Sequence, residues 1–157
     1  MQTFLPSTSF AVCAQSLDSK RLNKQILEGY QILKVLSTKG KAWSRHPATL
    51  MWTNCEKTLV KYIRTMIAEA KVRGIQTDKN EKNINALELE HQHNWGQKYP
   101  DWFSDVEKVN RVITTHRANL YKKDPIYYHK YKDAVTDKFN KPCCSKCSYF
   151  WVTHEKE

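Results

Sequence analysis

Three features of the chain predict an all-α fold, a compact single-domain bundle of about four to five helices with long loops and an irregular C-terminal tail. Only four glycines occur in 157 residues, and they punctuate helical segments rather than hairpins. No stretch alternates apolar and polar residues at any length, whereas several segments repeat apolar residues every three or four positions. Hydrophobic residues make up 40% of the chain, enough to bury one core, and the length suits one domain rather than two. Residues 1–157 are therefore read as a single helical domain, with 136–157 as its irregular, cysteine-containing tail.

Ser7 or Ser9 can cap a short first helix carrying Phe10, Val12 and Cys13, and Asp18 or Ser19 the next. In that second helix Leu22, Ile26, Gly29, Leu33 and Leu36 share one narrow sector, the core stripe. Arg21, Lys24, Gln25 and Glu28 form one polar flank beside it, with Lys20 expected to point elsewhere. Lys39-Gly40-Lys41 breaks the chain. Pro47 is suited to the first turn of a third helical stretch, whose apolar spacing runs through Met51, Cys55, Leu59, Tyr62, Ile63, Met66, Ile67 and Ala70 to a stop at Gly74. Between 76 and 103 the chain is polar, with one short helix expected around Ile84 to His91. Ser104 and Glu107 have capping-box spacing for a helix carrying Val106, Val109, Val112, Ile113 and Leu120, which ends before Asp124-Pro125. An aromatic, basic turn, IYYHKYK, follows.

Lys and Arg outnumber Asp and Glu by 26 to 16, and the excess is spread along the chain, which favours a polyanionic partner over a merely solubilising charge. Eight Tyr and five Trp interleaved with the cations tilt that partner toward nucleic acid, because bases stack on aromatic faces while cations hold phosphates. No apolar run is long enough to span a bilayer, and the N-terminus has no signal-peptide pattern, so a cytoplasmic protein without a membrane partner is expected. Five cysteines without an export signal read as free thiols or metal ligands rather than a disulfide framework. Cys144 and Cys147 have the spacing of a zinc half-site, with His154 beyond. A second pair is absent, so the reading is no metal and no cofactor.

Several stretches in order, MQTFLP, LDSKRLNKQILEGYQIL, WSRHPATLMW, MIAEAKVRG, HRANLYKKDPIYYHKYK and a tryptophan near the C-terminus, together resemble the phage pyrimidine-dimer DNA glycosylase/AP-lyase family, the bacteriophage endonuclease V. The resemblance is stronger to a group of small, uncharacterised bacterial and phage relatives than to the enzyme itself. It implies double-stranded DNA as partner, a monomer, and the host-cell cytoplasm if the chain is phage-encoded. In the enzyme the α-amine of the mature N-terminus attacks the sugar C1′ and a glutamate of the second helix is the essential carboxylate. Glu28 falls on that glutamate when the helix is aligned through Leu22, and the N-terminal amine here is that of Met1. Family cations grip the DNA backbone, a role the resemblance gives to Arg21, Lys24 and, from the HRANL stretch, Arg117, beside which His116 is a further candidate nucleic-acid contact. Gln25, Arg45, Lys122, Tyr128 and Lys130 extend the expected nucleic-acid surface. His46 could contact a phosphate or a flipped base, or serve only as a helix cap.

Breaking an N-glycosidic bond builds oxocarbenium character on the sugar, which a neighbouring carboxylate stabilises. An α-amine suits the nucleophile's part, since at a reference pKa of ~7.7–8.0 roughly a tenth or more is unprotonated at neutral pH. The family enzyme exposes a small residue after Met removal, whereas bulky Gln2 follows Met1 here and disfavours removal. Two readings stay open. One is a DNA glycosylase, with or without AP-lyase activity, acting on a damaged or modified base; the other is a non-catalytic DNA-binding protein on the same scaffold, in which Glu28 only pairs with Lys24 one helical turn away. Trp52 is expected in the core, and Trp43 either in the core or stacked against bases.

Overall fold

The computed structural model describes residues 1–134 and 149–153 and bears out the all-helical bundle. Among these residues six α-helices form, two of them short: α1 (Phe10–Ser16), α2 (Ser19–Thr38), α3 (Pro47–Leu50), α4 (Glu56–Val72), α5 (Asp78–His91) and α6 (Val106–Lys123). Ser9 caps α1 by accepting the Val12 N–H, and Asp18 caps α2 by accepting the Arg21 N–H. Leu22, Ile26 and Leu33 of the expected stripe are fully buried, joined by Ile32, while Leu36 is only partly covered. The stripe packs against α4 at a crossing where Gly29 is required by space: a Cβ there would stand 2.7 Å from Ile63 Cγ1.

Three expectations need correction. The stretch from Pro47 to Gly74 is not one helix, because α3 stops at Leu50, the chain turns through Asn54 at φ 61°, and α4 begins at Glu56. The turn exists because a later segment docks into it. Gly96 N–H donates to Glu56 Oε2 at 2.8 Å, Lys57 N–H donates to Gly96 O, and a Cβ on Gly96 would lie 1.7 Å from Asn54 O. The helix expected from Ile84 begins a turn and a half earlier, at Asp78, and buries only Ile84 and Leu87, which is why its periodicity is weak. Ser104 does not cap α6; it closes a 3₁₀ turn at Asp101–Ser104, and Asp105 caps instead, accepting the Lys108 N–H.

The least expected feature is the start of the chain. Gln2, Thr3, Phe4 and Leu5 are all at least nine-tenths buried in an extended segment threaded between the helices. Every backbone N–H buried there needs a partner; the neighbouring Gln2 side chain serves Thr3, and side chains from distant elements serve the others. Phe4 N–H donates to Gln25 Oε1 of α2 at 2.8 Å, and Leu5 N–H donates to His116 Nδ1 of α6 at 2.8 Å. The Tyr62 hydroxyl of α4 lies 2.8 Å from Phe4 O and 2.9 Å from Gln25 Oε1, offering its one proton to the two oxygens. Trp52 Nε1 donates to Thr3 Oγ1 at 3.0 Å, and Arg117 Nε donates to Pro6 O at 2.8 Å. Phe150 and Trp151, from the far end of the chain, are buried, and Phe150 N–H donates to Thr115 Oγ1 of α6. No helix among the described residues is long and apolar enough to cross a membrane.

Candidate active site

The anchored N-terminal segment delivers Met1 and Gln2 to the polar flank of α2. Gln2 N–H donates to Glu28 Oε2 at 3.0 Å, and Gln25 Nε2 lies 3.5 Å from the same oxygen. The other oxygen, Oε1, is 3.6 Å from Lys24 Nζ. The i,i+4 pair is therefore formed, and it is only one of three contacts on the carboxylate. Such an exposed pair alone is worth ~0.2–0.5 kcal/mol; here the Glu28 side chain is 13% exposed against 65% for Lys24, so the carboxylate sits at the floor and the ammonium at the rim.

The floor opens into a cleft of about 350 Å³ lined by Met1, Gln2, Glu28, Lys20, Lys123 and Tyr149, together with Phe4, Arg21, Lys24 and Gln25. Lys20, expected to point elsewhere, belongs to it: Lys20, Lys24 and Glu28 stand one helical turn apart in a single row. Lys123, in the last turn of α6, and Tyr149 reach the same space from parts of the chain that carry no sequence signal for it.

Other expected surface residues are engaged inside the protein. Arg21 is paired with Asp18 at 3.2 Å and lies over the Tyr128 ring, so its charge is largely answered. Gln25 is 1% exposed and braces Phe4 rather than facing solvent. His116 is 1% exposed, and burial pulls its imidazole down to about 3, holding it neutral as the acceptor for Leu5 N–H. Tyr128 is fully buried, its hydroxyl donating to Asp18 Oδ1 and accepting the Asp18 N–H, and burial raises its pKa. Arg117 is tied to Pro6 O and faces the Tyr131 ring. Arg45, Lys122 and Lys130 are exposed but do not line the cleft. Cys144, Cys147 and His154 lie outside the described residues, and no group of three metal-ligating side chains forms among those described.

His46 does cap α3, its Nδ1 accepting the Ala48 N–H at 3.1 Å, which leaves Nε2 to carry the proton of the neutral ring. Burial, and then the positive charge of the N-terminus, lower its pKa, while Glu28 pulls it the other way. The amine, the carboxylate and the imidazole thus share one electrostatic neighbourhood. Trp52 is in the core, as expected, and Trp43 is 55% exposed on the loop before His46.

The fold and the cleft define a helical protein that builds its own chain start into a basic pocket around a carboxylate. Residues 1–83, more than half of the chain, match the model of the family described as pyrimidine dimer DNA glycosylase, and the chain belongs to that family. DNA is the partner this membership suggests. The matched segment contains Met1, Glu28, Lys20, Lys24 and His46 and excludes α6 with its Lys123. No curated protein and no solved structure matches the chain.

Proposed function

We propose that the protein is a DNA N-glycosylase with AP-lyase activity, acting on a damaged or modified base through the Met1 α-amine and the Glu28 carboxylate. The observation that carries this reading is the Gln2 N–H to Glu28 hydrogen bond at 3.0 Å, which seats the N-terminus beside a largely covered carboxylate within a lysine-lined cleft. Lys20, Lys24 and Lys123 supply phosphate contacts around it.

In the reaction the unprotonated amine forms a bond to C1′ while the base leaves with the electron pair of its glycosidic bond, taking a proton from solvent. Glu28, charged and nearby, stabilises the positive character on the sugar as that bond breaks. The sugar ring then opens as C1′–O4′ breaks, O4′ taking the proton that the attached amine gives up, and an iminium links the N-terminus to C1′. Loss of a C2′ proton, to Glu28 or water, then expels the 3′ phosphate by β-elimination, and hydrolysis of the imine frees the amine. Neutral His46, with Nε2–H available, is suited to hold a phosphate or base oxygen rather than to compete as a cation.

The test is base release from duplex oligonucleotides carrying ultraviolet photoproducts and modified bases, read by mass spectrometry of the freed base. Glu28→Gln should suppress release while leaving DNA affinity within a few fold of wild type. Release by Glu28→Gln at the wild-type rate would remove the carboxylate from the chemistry. Binding without release from any duplex in a broad panel would favour the non-catalytic reading, which the bulky Gln2 beside Met1 also favours.

A further inference from the structure

We propose that Trp43 is a stacking wedge, a ring that enters duplex DNA and packs on the base pair next to the nucleotide displaced toward the cleft. The inference rests on the reading of that cleft as the site of glycosidic cleavage, and it adds a residue that holds the duplex open.

Three observations carry it. Trp43 is 55% exposed, whereas Trp52 and Trp95, whose rings serve the core, are 0% and 6% exposed. Its backbone sits at φ 64°, a left-handed conformation that bulky L residues rarely adopt and that persists where the surroundings enforce it. The turn is enforced: His46 N–H donates to Trp43 O at 3.1 Å, and the Ser44 hydroxyl donates to Lys41 O at 2.8 Å. An indole left more than half exposed on a strained turn gains little from burial in the free protein. It makes sense as preparation for a partner with an apolar, planar face.

Position and charge specify the partner. The indole stands edge-on to His46, with ring centroids 5.5 Å apart; His46 packs on Trp151 at 5.9 Å, and Trp151 on Tyr149 at 5.6 Å. Tyr149 lines the cleft, so this row of rings runs from solvent to the space above Glu28. Lys39, Lys41 and Arg45, all exposed, flank the indole on the same loop. An aromatic ring between cations is the chemistry of nucleic acid, with phosphates on the cations and a base on the ring. Apolar wedges of this kind enter between base steps and kink the duplex.

The experiment measures binding to two duplexes, one fully paired and one with a tetrahydrofuran abasic analogue flanked by 2-aminopurine, using wild type, Trp43→Gly and Trp43→Phe. Glycine accepts the positive φ, so Trp43→Gly should melt at or above the wild-type temperature. Its affinity for the gapped duplex should fall roughly 5- to 150-fold, the range expected for loss of one base–aromatic stack, with a smaller loss on the paired duplex. The 2-aminopurine response seen with wild type should vanish with Trp43→Gly and persist with Trp43→Phe. A Trp43→Gly protein that keeps the preference for the gap and the fluorescence response, or that melts well below wild type, would overturn the wedge while leaving the glycosylase reading intact. Wild type that fails to prefer the gapped duplex would overturn the wedge as well. Whether that failure extends to the glycosylase reading is decided by base release, which is measured separately.

Discussion

Acidification should loosen the segment that brings Met1 to Glu28, and His116 supplies the handle. Its Nδ1 accepts the Leu5 N–H, and its ring is 1% exposed, so a proton on it would both cancel that hydrogen bond and place a charge in the core. Burial lowers its pKa from 6.5 to about 3. A histidine held neutral by folding stabilises the native state fully above its unfolded pKa. That contribution is lost as pH falls from about 6.5 toward 3, where the unfolded chain binds one more proton than the native one. At ~1.4 kcal/mol per pH unit, moving from pH 7 to pH 5 crosses about one and a half units of this window and costs about 2 kcal/mol. His46, also shifted downward, adds to the same sign. The assay is urea unfolding at the two pH values for wild type and His116→Gln, whose amide oxygen can accept the Leu5 N–H but cannot titrate. Wild type should lose about 2 kcal/mol more than the variant on acidification. Equal losses in the two proteins would refute the assignment of a buried, neutral His116.

Two further outcomes follow from packing and charge. Gly29→Ala should lower stability by about 1–3 kcal/mol in thermal or urea unfolding, because its Cβ would meet Ile63 Cγ1 at 2.7 Å, and combined with Ile63→Ala it should cost less than the sum of the two single losses. Lys20→Gln and Lys123→Gln should each reduce the slope of log affinity against log salt for duplex DNA by about 0.9 for every phosphate no longer neutralised; Lys122→Gln, exposed but outside the cleft, should change it less.

Much of the bundle is legible in the sequence because the long amphipathic helices announce themselves by period: the core stripe of α2 and most of that of α4 read directly from residue spacing. What period cannot show is a break imposed from elsewhere. The turn at Asn54 exists because Gly96, some forty residues later, docks its backbone there. The buried N-terminal segment is likewise invisible, since Gln2 and Thr3 are polar, and their burial depends on partners from α2, α4 and α6 that only the fold assembles. At the cleft, Glu28 with Lys24 is readable as a local pair. Lys20 lies in the same helical row, a neighbour by turn-to-turn spacing that its angle around the helix alone does not reveal, whereas Lys123 and Tyr149 arrive from distant sequence. Gln25 and His116 read as surface groups because polar residues on a helix usually face water; here both are acceptors for a buried strand-like segment that has no sheet to join.

A nucleophilic N-terminal amine working beside Glu28 is tested most directly by sodium borohydride trapping on duplex DNA containing a substrate base or an abasic site, with the adduct mapped by peptide mass spectrometry. A covalent complex on the α-amine of Met1 is expected, and it should be lost when that amine is reductively methylated before DNA is added. An adduct on a lysine side chain, or base release with no trapped complex under conditions that trap a known lyase, would contradict this role for the chain's own first residue.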